Sequence, residues 1–295
     1  MDAAPLLAWY RPRRTGYPWR RARPDPYLVL VSEVMLQQTQ AARVVPAFRS
    51  FVVTFPTLRA LAGTSRRDVL EAWSGLGYNR RAVRLREAAR RIVGQHDGVI
   101  PSDPAVLATL PGIGPYTAAA VASIAFGEAV PAVDTNVRRV VARAVLGIDG
   151  NDAPLREVSR AASAWMGRTD PGIWNQAVMD LGREVCRTVP RCSSCPLRGE
   201  CAFRRRGLAG RPSPGTDRSQ LPAAPFEGSS RQLRGAIVRI LVDRPVATIS
   251  SLSRATGRSP RTVAEIVGAL AAEGLVRAGP VAVAGSRRGR VRLAP

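Results

Sequence analysis

The stretch Leu110–Ser123, LPGIGPYTAAAVAS, places glycines and prolines directly before an alanine-rich segment. Gly112 and Gly114 permit a tight turn between two helices, because glycine adopts backbone conformations that other residues avoid. Such a turn also lets backbone N–H groups approach an anion at the start of the second helix. The stretch therefore predicts a helix-hairpin-helix, which holds a DNA phosphate without reading bases. A purely structural turn is the alternative.

Apolar residues recur at three- and four-residue spacing over most of the first 208 residues, which predicts amphipathic helices. Short segments containing Gly and Pro separate these helices, and no clear alternating strand pattern interrupts them. This part of the chain therefore predicts an all-α domain. Its expected helices cover Arg67–Trp73, Arg81–Gln95, Thr117–Phe126, Asn136–Leu146, Leu155–Met166 and Ile173–Leu181.

A change of composition divides the chain, because residues 209–230 are rich in Pro, Gly and Ser, as linkers are. Three helices and then two short strands around an Arg-Gly tip follow, and that order predicts a winged helix-turn-helix. These helices are expected at Gln232–Val242, Ile249–Ala255 and Arg261–Glu273. The expected organisation is an all-α domain at 1–208, a linker at 209–230 and a winged-helix-like α+β domain at 231–295.

The charge of the chain indicates its partner. The 295 residues include 44 basic against 22 acidic ones, a formal net charge of +22, and every basic residue is an arginine. A polyanion is the expected partner, because arginines that neutralise phosphates release counterions. Without lysine, no side-chain amine is present to form a Schiff base.

Targeting signals are missing from the sequence. No apolar run approaches the roughly 18 residues that a membrane span needs. The N-terminal residues also lack the basic-then-apolar order of a signal peptide. We therefore expect a cytoplasmic, nucleoid-associated monomer with no membrane contact.

The four cysteines of the chain follow the pattern C-x5-C-x2-C-x5-C. Four thiols within so short a segment suit one metal centre, and thiolate-only ligation is typical of structural zinc or a [4Fe–4S] cluster. Disulfides are less suited to a cytosolic chain. The spacing does not choose between the two metals. The expected ligands are Cys186, Cys192, Cys195 and Cys201.

A third feature lies between the hairpin and the cysteines, where Asp134 precedes an amphipathic helix in VPAVDTNVRRV. An N-cap is its ordinary structural role. Hairpin, aspartate and four cysteines, in this order and at these separations, resemble the helix-hairpin-helix DNA glycosylase superfamily, which includes endonuclease III. The resemblance spans roughly Leu7–Phe203.

Within that span, six motifs resemble the adenine-specific mismatch glycosylases of the MutY family. The most specific is SEVMLQQTQ at Ser32–Gln40. The resemblance implies a two-lobed all-α glycosylase fold, a [4Fe–4S] cluster with zinc as the alternative, and removal of adenine opposite 8-oxoguanine or guanine from double-stranded DNA. The motifs are PWR, SEVMLQQTQ, GLGYNRRA, LPGIGPYTA, VDTNVRRV and NQAVMDLG.

Removing a base breaks an N-glycosidic bond through an oxocarbenium-like sugar, and an acid and a second carboxylate assist this reaction. By resemblance, Glu33 is the acid that protonates adenine at N7. No basic residue lies between Tyr27 and Thr39, so burial should raise the pKa of Glu33 and keep it protonated. Asp134 is the expected second carboxylate, ionised beside the sugar, and Asn136 orients polar groups near it.

Position 116 bears on strand cleavage. Bifunctional relatives carry a lysine at this place in the hairpin and open the sugar through a Schiff base. Here the residue is Tyr116, and the chain has no lysine to replace it. We therefore expect base excision without strand cleavage.

Reaching the base requires flipping its nucleotide out of the duplex. By resemblance, Gln38 and Tyr78 wedge into the base stack. For Gln176, which is expected in the adenine pocket, a structural hydrogen bond is the alternative. The other expected base and DNA contacts are Trp19, Arg20, Leu36, Gln37, Thr39, Gly112 and Gly114.

The sequence departs from the family pattern in two places. The first cysteine spacing is one residue shorter than the usual x6, which weakens the expectation for Cys186. The C-terminal region predicts a winged helix rather than the family's Nudix-like domain, so preference for 8-oxoguanine is left open. Either this domain contacts DNA or it does not. The residues available for contact are Arg258, Arg261, Arg287, Arg288 and Arg290.

Two other functions are compatible with parts of the sequence. A thymine or uracil mismatch glycosylase is the first, since some such relatives carry tyrosine in the hairpin, but Glu33 argues against it because pyrimidines need no N7 protonation. The second is an iron–sulfur winged-helix transcription factor, which leaves the N-terminal motifs unexplained.

Overall fold

The computed structural model describes residues 1–14, 16–208 and 226–294. Residues 209–225 of the predicted linker lie outside this part of the chain. Of the described residues, those before the C-terminal region contain helices and no strands, as expected. The helices are α1 (Ala4–Tyr10), α2 (Pro26–Leu36), α3 (Ala41–Thr54), α4 (Leu58–Gly63), α5 (Arg66–Ala72), α6 (Arg80–Gln95), α7 (Pro104–Leu107), α8 (Pro115–Phe126), α9 (Thr135–Val141), α10 (Leu155–Met166), α11 (Pro171–Glu184), α12 (Ala202–Arg205), α13 (Ser230–Asp243), α14 (Ile249–Thr256), α15 (Pro260–Ala272) and α16 (Pro280–Val283).

Local chemistry explains where these helices begin and end. Ser65 and Asp68 form a capping box at the start of α5, and the Asp170 carboxylate accepts from Ile173 N at 2.8 Å to cap α11. Gly127 ends α8 in the left-handed conformation, at φ 74°. No helix in the described part of the chain has the length and apolar character needed to cross a membrane.

The described residues form two compact units, one of residues 1–33 and 100–208 and the other of residues 34–99 and 226–294. In the first unit, α11 packs against α1, α8 and α9. Trp174 of α11 is fully buried and meets Trp165 of α10 edge to face, with ring centroids 5.5 Å apart. The alanine-rich α8 is buried along most of its length, which lets neighbouring backbones approach closely.

The predicted hairpin is formed by α7, α8 and the turn between them. Gly112 has φ 79°, the left-handed region in which glycine carries no steric cost. Leu110 and Ile113 are buried and anchor the turn from beneath, while Gly114 is exposed and caps α8. The turn therefore exposes Gly114, whereas Gly112 is half-buried.

The helix that begins at Thr135 differs from the expected Asn136–Leu146 in its second half. After α9 it widens into a π-helical turn at Ala142–Leu146. This turn holds Arg143, which is 1% exposed and pairs with Asp149 at 2.8 Å. Such widened turns are rare and redirect one side chain, here toward the backbone of Arg187 and Thr188.

In the second unit, the C-terminal region is the predicted winged helix. Helices α13, α14 and α15 pack with a three-stranded antiparallel sheet in the order β1-β3-β2. The short β1 and the helix α16 were not predicted. Helix α13 packs on α5, and Arg66 Nη1 donates to the Gly274 carbonyl at 2.7 Å. The strands are β1 (Ala247–Thr248), β2 (Val276–Ala278) and β3 (Arg290–Leu293).

The contact between α9 and α11 depends on Gly182. A Cβ atom at this position would lie 2.8 Å from Asn136 Cβ and 3.2 Å from the Asn136 carbonyl oxygen. We expect Gly182→Ala to lower the free energy of unfolding by about 1–3 kcal/mol, because overpacking forces the two helices apart. Urea titration monitored by circular dichroism measures the change. Gly235→Ala in α13 is the matched control, since nothing lies within 4 Å of its Cβ position, and equal stability of both variants would contradict the packing argument.

Candidate active site

Glu33 carries a buried carboxyl group that has no counter-ion in the part of the chain that the structure describes. It lies on α2, is 7% exposed, and forms no ion pair with any described residue. The Tyr116 hydroxyl donates to its Oε2 at 3.2 Å and also lies 3.8 Å from Met179 Sδ. The sequence-predicted acid and the hairpin tyrosine are therefore in direct contact.

Burial raises the pKa of Glu33 to about 7, because an ionised carboxylate loses its hydration in this environment. The hydrogen bond from Tyr116 and the positive charge of Arg20 lower the pKa, and the negative charge of Asp134 raises it. Desolvation is the largest of these effects. The pKa of Tyr116 is raised well above its ordinary value by burial and by Glu33, so its hydroxyl keeps its proton and donates.

The charge of Arg20 is committed elsewhere. Its guanidinium makes a two-pronged ion pair with Asp180, at 2.7 and 3.0 Å, and lies over the rings of Tyr10 and Tyr17. Because Asp180 binds both terminal nitrogens of Arg20, no cation of the described residues is hydrogen-bonded to Glu33. Asp180 was not predicted as a site residue, although an acidic residue within the apolar helix α11 was a visible signal.

Asp134 is the N-cap residue of α9, the structural role that the sequence predicted for it as the alternative to a catalytic one. Its Oδ1 accepts from Val137 N at 2.6 Å, and its Oδ2 accepts from Asn136 Nδ2 at 2.9 Å. Asp134 is half-buried and its charge reaches Glu33. The two predicted carboxylates therefore share one site in different environments.

Asn136 connects this carboxylate to the cysteine segment. Its Oδ1 accepts from Arg139 Nη2 at 2.8 Å, and Arg139 Nε donates to the Cys186 carbonyl at 2.7 Å. Arg139 also donates to the Gly182 carbonyl. Arg139 fixes the amide of Asn136 from behind and was not predicted as a site residue.

Polar residues of α11 hold the surrounding backbone and side chains. Asn175, which is fully buried, accepts from Ala132 N at 2.8 Å and donates to Ser123 Oγ, which fixes the chain just before Asp134. Asn175 lies in the motif NQAVMDLG, but no role was predicted for it. Its burial within NQAVMDLG was the available signal, since buried amides need hydrogen-bond partners.

Gln176 and Trp19 are also buried. The Tyr10 hydroxyl donates to Gln176 Oε1 at 2.8 Å, so the predicted structural hydrogen bond is present. Trp19 stacks on Tyr17 with ring centroids 4.9 Å apart and planes 9° from parallel. Through Tyr10 and Tyr17, these two residues adjoin the Arg20 ion pair.

The four cysteines are all free thiols. They lie between the end of α11 and the start of α12, and α12 packs against the π-helical turn that carries Arg143. Burial is the largest of the effects that raise the pKa of the Cys195 thiol to about 11, and the charges of the other three cysteines act in the same direction. Arg143 Nη1 lies 3.9 Å from Cys186 Sγ. No three His, Cys, Asp or Glu side chains in residues 1–14, 16–208 and 226–294 are arranged around one ion position.

The remaining predicted DNA contacts lie in the second unit. Leu36, Gln37 and Thr39 are half-buried and Gln38 is exposed. Tyr78 is 47% exposed. Both Gln38 and Tyr78 have positive φ, 55° and 48°, which is uncommon for residues other than glycine. One arginine, Arg81, hydrogen-bonds to both of these loops.

Comparison with known proteins identifies the family. The model of the HhH-GPD superfamily of base excision DNA repair proteins matches residues 31–166, and that of a winged helix-turn-helix DNA-binding family matches residues 231–277. An adenine DNA glycosylase of Mycobacterium tuberculosis (strain ATCC 25618 / H37Rv) is 45% identical over 239 residues, 80% of this chain and 77% of that protein. The chain belongs to the adenine DNA glycosylase family.

More distant adenine DNA glycosylases and solved structures agree. That of Homo sapiens is 42% identical over 212 residues, which cover 68% of this chain and 39% of that protein. A thermostable thymine-DNA glycosylase structure superposes with TM-score 0.64 and 27% identity, over 69% of this chain and 95% of that one. Endonuclease III in a non-covalent DNA complex gives TM-score 0.57 at 23% identity, over 69% and 94%, which shows a shared fold.

The predicted fold class, family and enzyme class are thereby confirmed. As a member of this family, the enzyme is a base excision repair protein that cleaves N-glycosidic bonds and binds DNA.

Replacing Glu33 tests its buried, protonated state through stability. The folded-state pKa of about 7 exceeds the ordinary value of 4.5, so the stability given by neutral Glu33 is complete below the unfolded-state pKa and is lost as the pH rises through about 7. We compare the free energy of unfolding of Glu33→Gln with that of wild type. We expect the difference to be about 2 kcal/mol more favourable to Glu33→Gln at about pH 8 than at about pH 5. Urea titrations at both pH values measure this. A pH-independent difference would contradict the raised pKa.

Proposed function

We propose that this enzyme removes adenine paired with 8-oxoguanine or guanine, by protonating the base through Glu33 and without cleaving the strand. The observation that carries the proposal is the buried, counter-ion-free Glu33 carboxyl, whose pKa of about 7 keeps much of it protonated near neutrality. A general acid works best when its pKa lies near the operating pH. We further propose that it acts as a monomer on nucleoid DNA.

Glu33 is proposed to deliver its proton to N7 of the flipped adenine. The Tyr116 hydroxyl donates to Oε2. An oxygen that accepts a hydrogen bond is the less basic of the two, so the proton resides on Oε1. Tyr116 thus fixes which oxygen delivers the proton. Protonation turns adenine from a poor anionic leaving group into a neutral one.

Asp134 is proposed to stabilise the positive charge that develops on the sugar. Its hydrogen bonds from Val137 N and Asn136 Nδ2 hold the carboxylate in place before the reaction. Asn136 is proposed as its orienting residue, held by Arg139. The negative charge of Asp134 also raises the pKa of Glu33, so the two carboxyl groups divide the roles of acid and charge stabiliser.

The adenine pocket is proposed to include Trp19, Arg20 and Gln176, and Leu36 is a separate proposed DNA contact. Tyr10 occupies the amide oxygen of Gln176, which leaves the amide nitrogen to donate to the base. Arg20 is bound to Asp180 and therefore shapes the pocket rather than supplying a free charge. Gln38 and Tyr78 are proposed to enter the base stack. The other proposed DNA contacts are Gln37, Thr39, Gly112 and Gly114.

Strand cleavage is proposed to be absent. Tyr116 occupies the hairpin position where a lysine would form the Schiff base, and its hydroxyl keeps its proton, since its pKa is raised well above the ordinary value. The whole chain has no lysine. Water is then the proposed nucleophile at the sugar, and an intact abasic strand is the product.

Single-turnover assays on five duplexes test this function. With adenine opposite 8-oxoguanine, guanine or cytosine, and with T:G and U:G pairs, we expect excision of adenine from the first two and none of T or U. The product strand should break only after alkali or heat. Glu33→Gln should bind the duplex normally and lose at least about 10²-fold in excision rate, the usual contribution of a general acid.

Three outcomes of these assays would contradict the proposal. They are removal of T from T:G without removal of adenine, breakage of the strand without alkali, and full activity of Glu33→Gln. Glu128→Gln is the matched control, because Glu128 lies just beyond α8 and is exposed. It should keep wild-type excision on every substrate.

A [4Fe–4S] cluster is proposed on Cys186, Cys192, Cys195 and Cys201. The donor set is four free thiols whose charges act on one another, so their thiolate forms need a cationic centre. When bound, the cluster supplies a rigid covalent staple for this segment. Iron and acid-labile sulfide in about equal amounts are expected in protein purified without air. Zinc without iron would contradict the cluster.

The winged helix is proposed to contact the flanking duplex through phosphates. Arg287, Arg288 and Arg290 at the tip of the wing are exposed. On α15, the helix that reads bases in such domains, the exposed Arg261 pairs with Glu265 at 3.3 Å. This distribution favours sequence-independent contact by the wing, which suits an enzyme that meets its lesion in any sequence.

Salt dependence tests the wing. We expect Arg287→Ala/Arg288→Ala to reduce the slope of log Kd against log salt concentration by about 2, since each lost phosphate contact removes roughly 0.9. Fluorescence anisotropy with duplexes of different flanking sequence measures the slope. Arg231→Ala/Arg239→Ala, two exposed arginines of α13, is the control. An unchanged slope would exclude wing contact, and a slope that depends on flanking sequence would indicate base reading.

A further inference from the structure

The loops that carry Gln38 and Tyr78 share an unusual backbone conformation. Both residues are in the left-handed region, although neither is glycine. Each such residue costs about 1–3 kcal/mol and persists only where its surroundings hold it. Tyr78 also exposes nearly half of a large aromatic side chain. The stability of the fold does not account for either feature, and together they indicate two loops held ready for contact.

One guanidinium holds both loops. Arg81 Nη1 donates to the carbonyls of Val34 and Met35, at 3.0 and 2.8 Å, and to the carbonyl of Gln37. Its Nη2 donates to Thr39 Oγ1 at 3.0 Å. These contacts gather the last turn of α2 and the residues on both sides of Gln38.

The same side chain reaches the second loop. Arg81 Nη2 donates to the Gly77 carbonyl at 3.2 Å, directly before Tyr78. Its guanidinium lies over the Tyr78 ring at 5.4 Å and over the Trp73 ring at 5.3 Å. Trp73 is fully buried and donates from Nε1 to the same Gly77 carbonyl. Tyr78 is thereby stacked on a cation that the core of the unit holds still.

The environment of the Arg81 guanidinium is unfavourable for a positive charge. Among the described residues, the hydrogen-bond acceptors of Arg81 are carbonyl and hydroxyl oxygens, and none is a carboxylate. The Arg81 Nε is buried and has no hydrogen-bond partner among these residues. Desolvation lowers the pKa of Arg81 to about 10. Arg81 is half-buried, and partial burial of a cation without a carboxylate partner among the described residues costs stability. This cost indicates a role for Arg81 beyond packing.

We propose that Arg81 is a positioning residue that locks the Gln38 and Tyr78 loops into one rigid wedge before DNA binds. The inference rests on the proposed entry of Gln38 and Tyr78 into the base stack. A wedge ordered in advance loses no conformational entropy when it enters the duplex, so more of the binding free energy is available to unstack the base. Only a guanidinium spans both loops, because it presents donors along two edges.

Excision from two substrates separates this role from general damage. One duplex pairs adenine with guanine, and the other places adenine opposite an abasic-site analogue, where little unstacking is needed. We expect Arg81→Met to lower the single-turnover rate on the paired substrate at least tenfold more than on the unpaired one. Fluorescence of 2-aminopurine beside the adenine should show reduced flipping in the same complexes. Arg90→Met, on the exposed end of α6, is the matched control and should match wild type on both.

Further variants make each outcome decisive. Arg81→Lys keeps the charge and should fail like Arg81→Met, so rescue by lysine would overturn the proposal. Thr39→Val, which removes one acceptor, should shift the rate ratio in the same direction by a smaller factor and covers the case in which Arg81→Met does not fold. Equal losses on both substrates, or no loss, would also overturn it. Tyr78→Ala separates the proposed wedge from the proposed role of Arg81. If Tyr78→Ala leaves excision of paired adenine unchanged, the proposed entry of Tyr78 into the base stack is wrong. If Tyr78→Ala is impaired and Arg81→Met is normal, only the proposed role of Arg81 is wrong.

Discussion

The loss of hydration at the Glu33 carboxyl group is the constraint on which the candidate active site of the first unit depends. Glu33 is buried on α2, and desolvation raises its pKa to about 7 against the effects of a hydrogen bond and a nearby arginine. A cation bound directly to Glu33 would reverse this balance. The residues around Glu33 therefore have to hold the site in place without placing a cation against the Glu33 carboxyl.

Asp180 meets this requirement by binding both terminal nitrogens of Arg20, and Tyr116 meets it by donating a neutral hydrogen bond. Asp134 adds a negative charge and is itself held by the start of α9. The Gly182 contact and the Arg139 hydrogen bonds then fix α9 against α11. Each contact is ordinary in strength, and together they hold Glu33 in an environment that raises its pKa, beside the hydrogen-bonded carboxylate of Asp134.

The sequence was sufficient for elements whose causes are local. The hairpin follows from glycine spacing, the helices from apolar periodicity, and the raised pKa of Glu33 from the absence of basic neighbours along α2. It was insufficient for partners far apart in the chain. Arg20 and Asp180 are 160 residues apart, and nothing in either segment names the other. Arg81 looked like one arginine among many, because only the folded loops bring five acceptors around it.

The protonation state of Glu33 is open to direct measurement. Carbon-13 NMR of protein labelled at glutamate carboxyl carbons, with the Glu33 signal assigned by its absence in Glu33→Gln, follows the titration of this one group. We expect a midpoint near pH 7 for Glu33. A midpoint near the ordinary value of 4.5 would show that Glu33 is ionised at neutral pH and would contradict its proposed role as the acid.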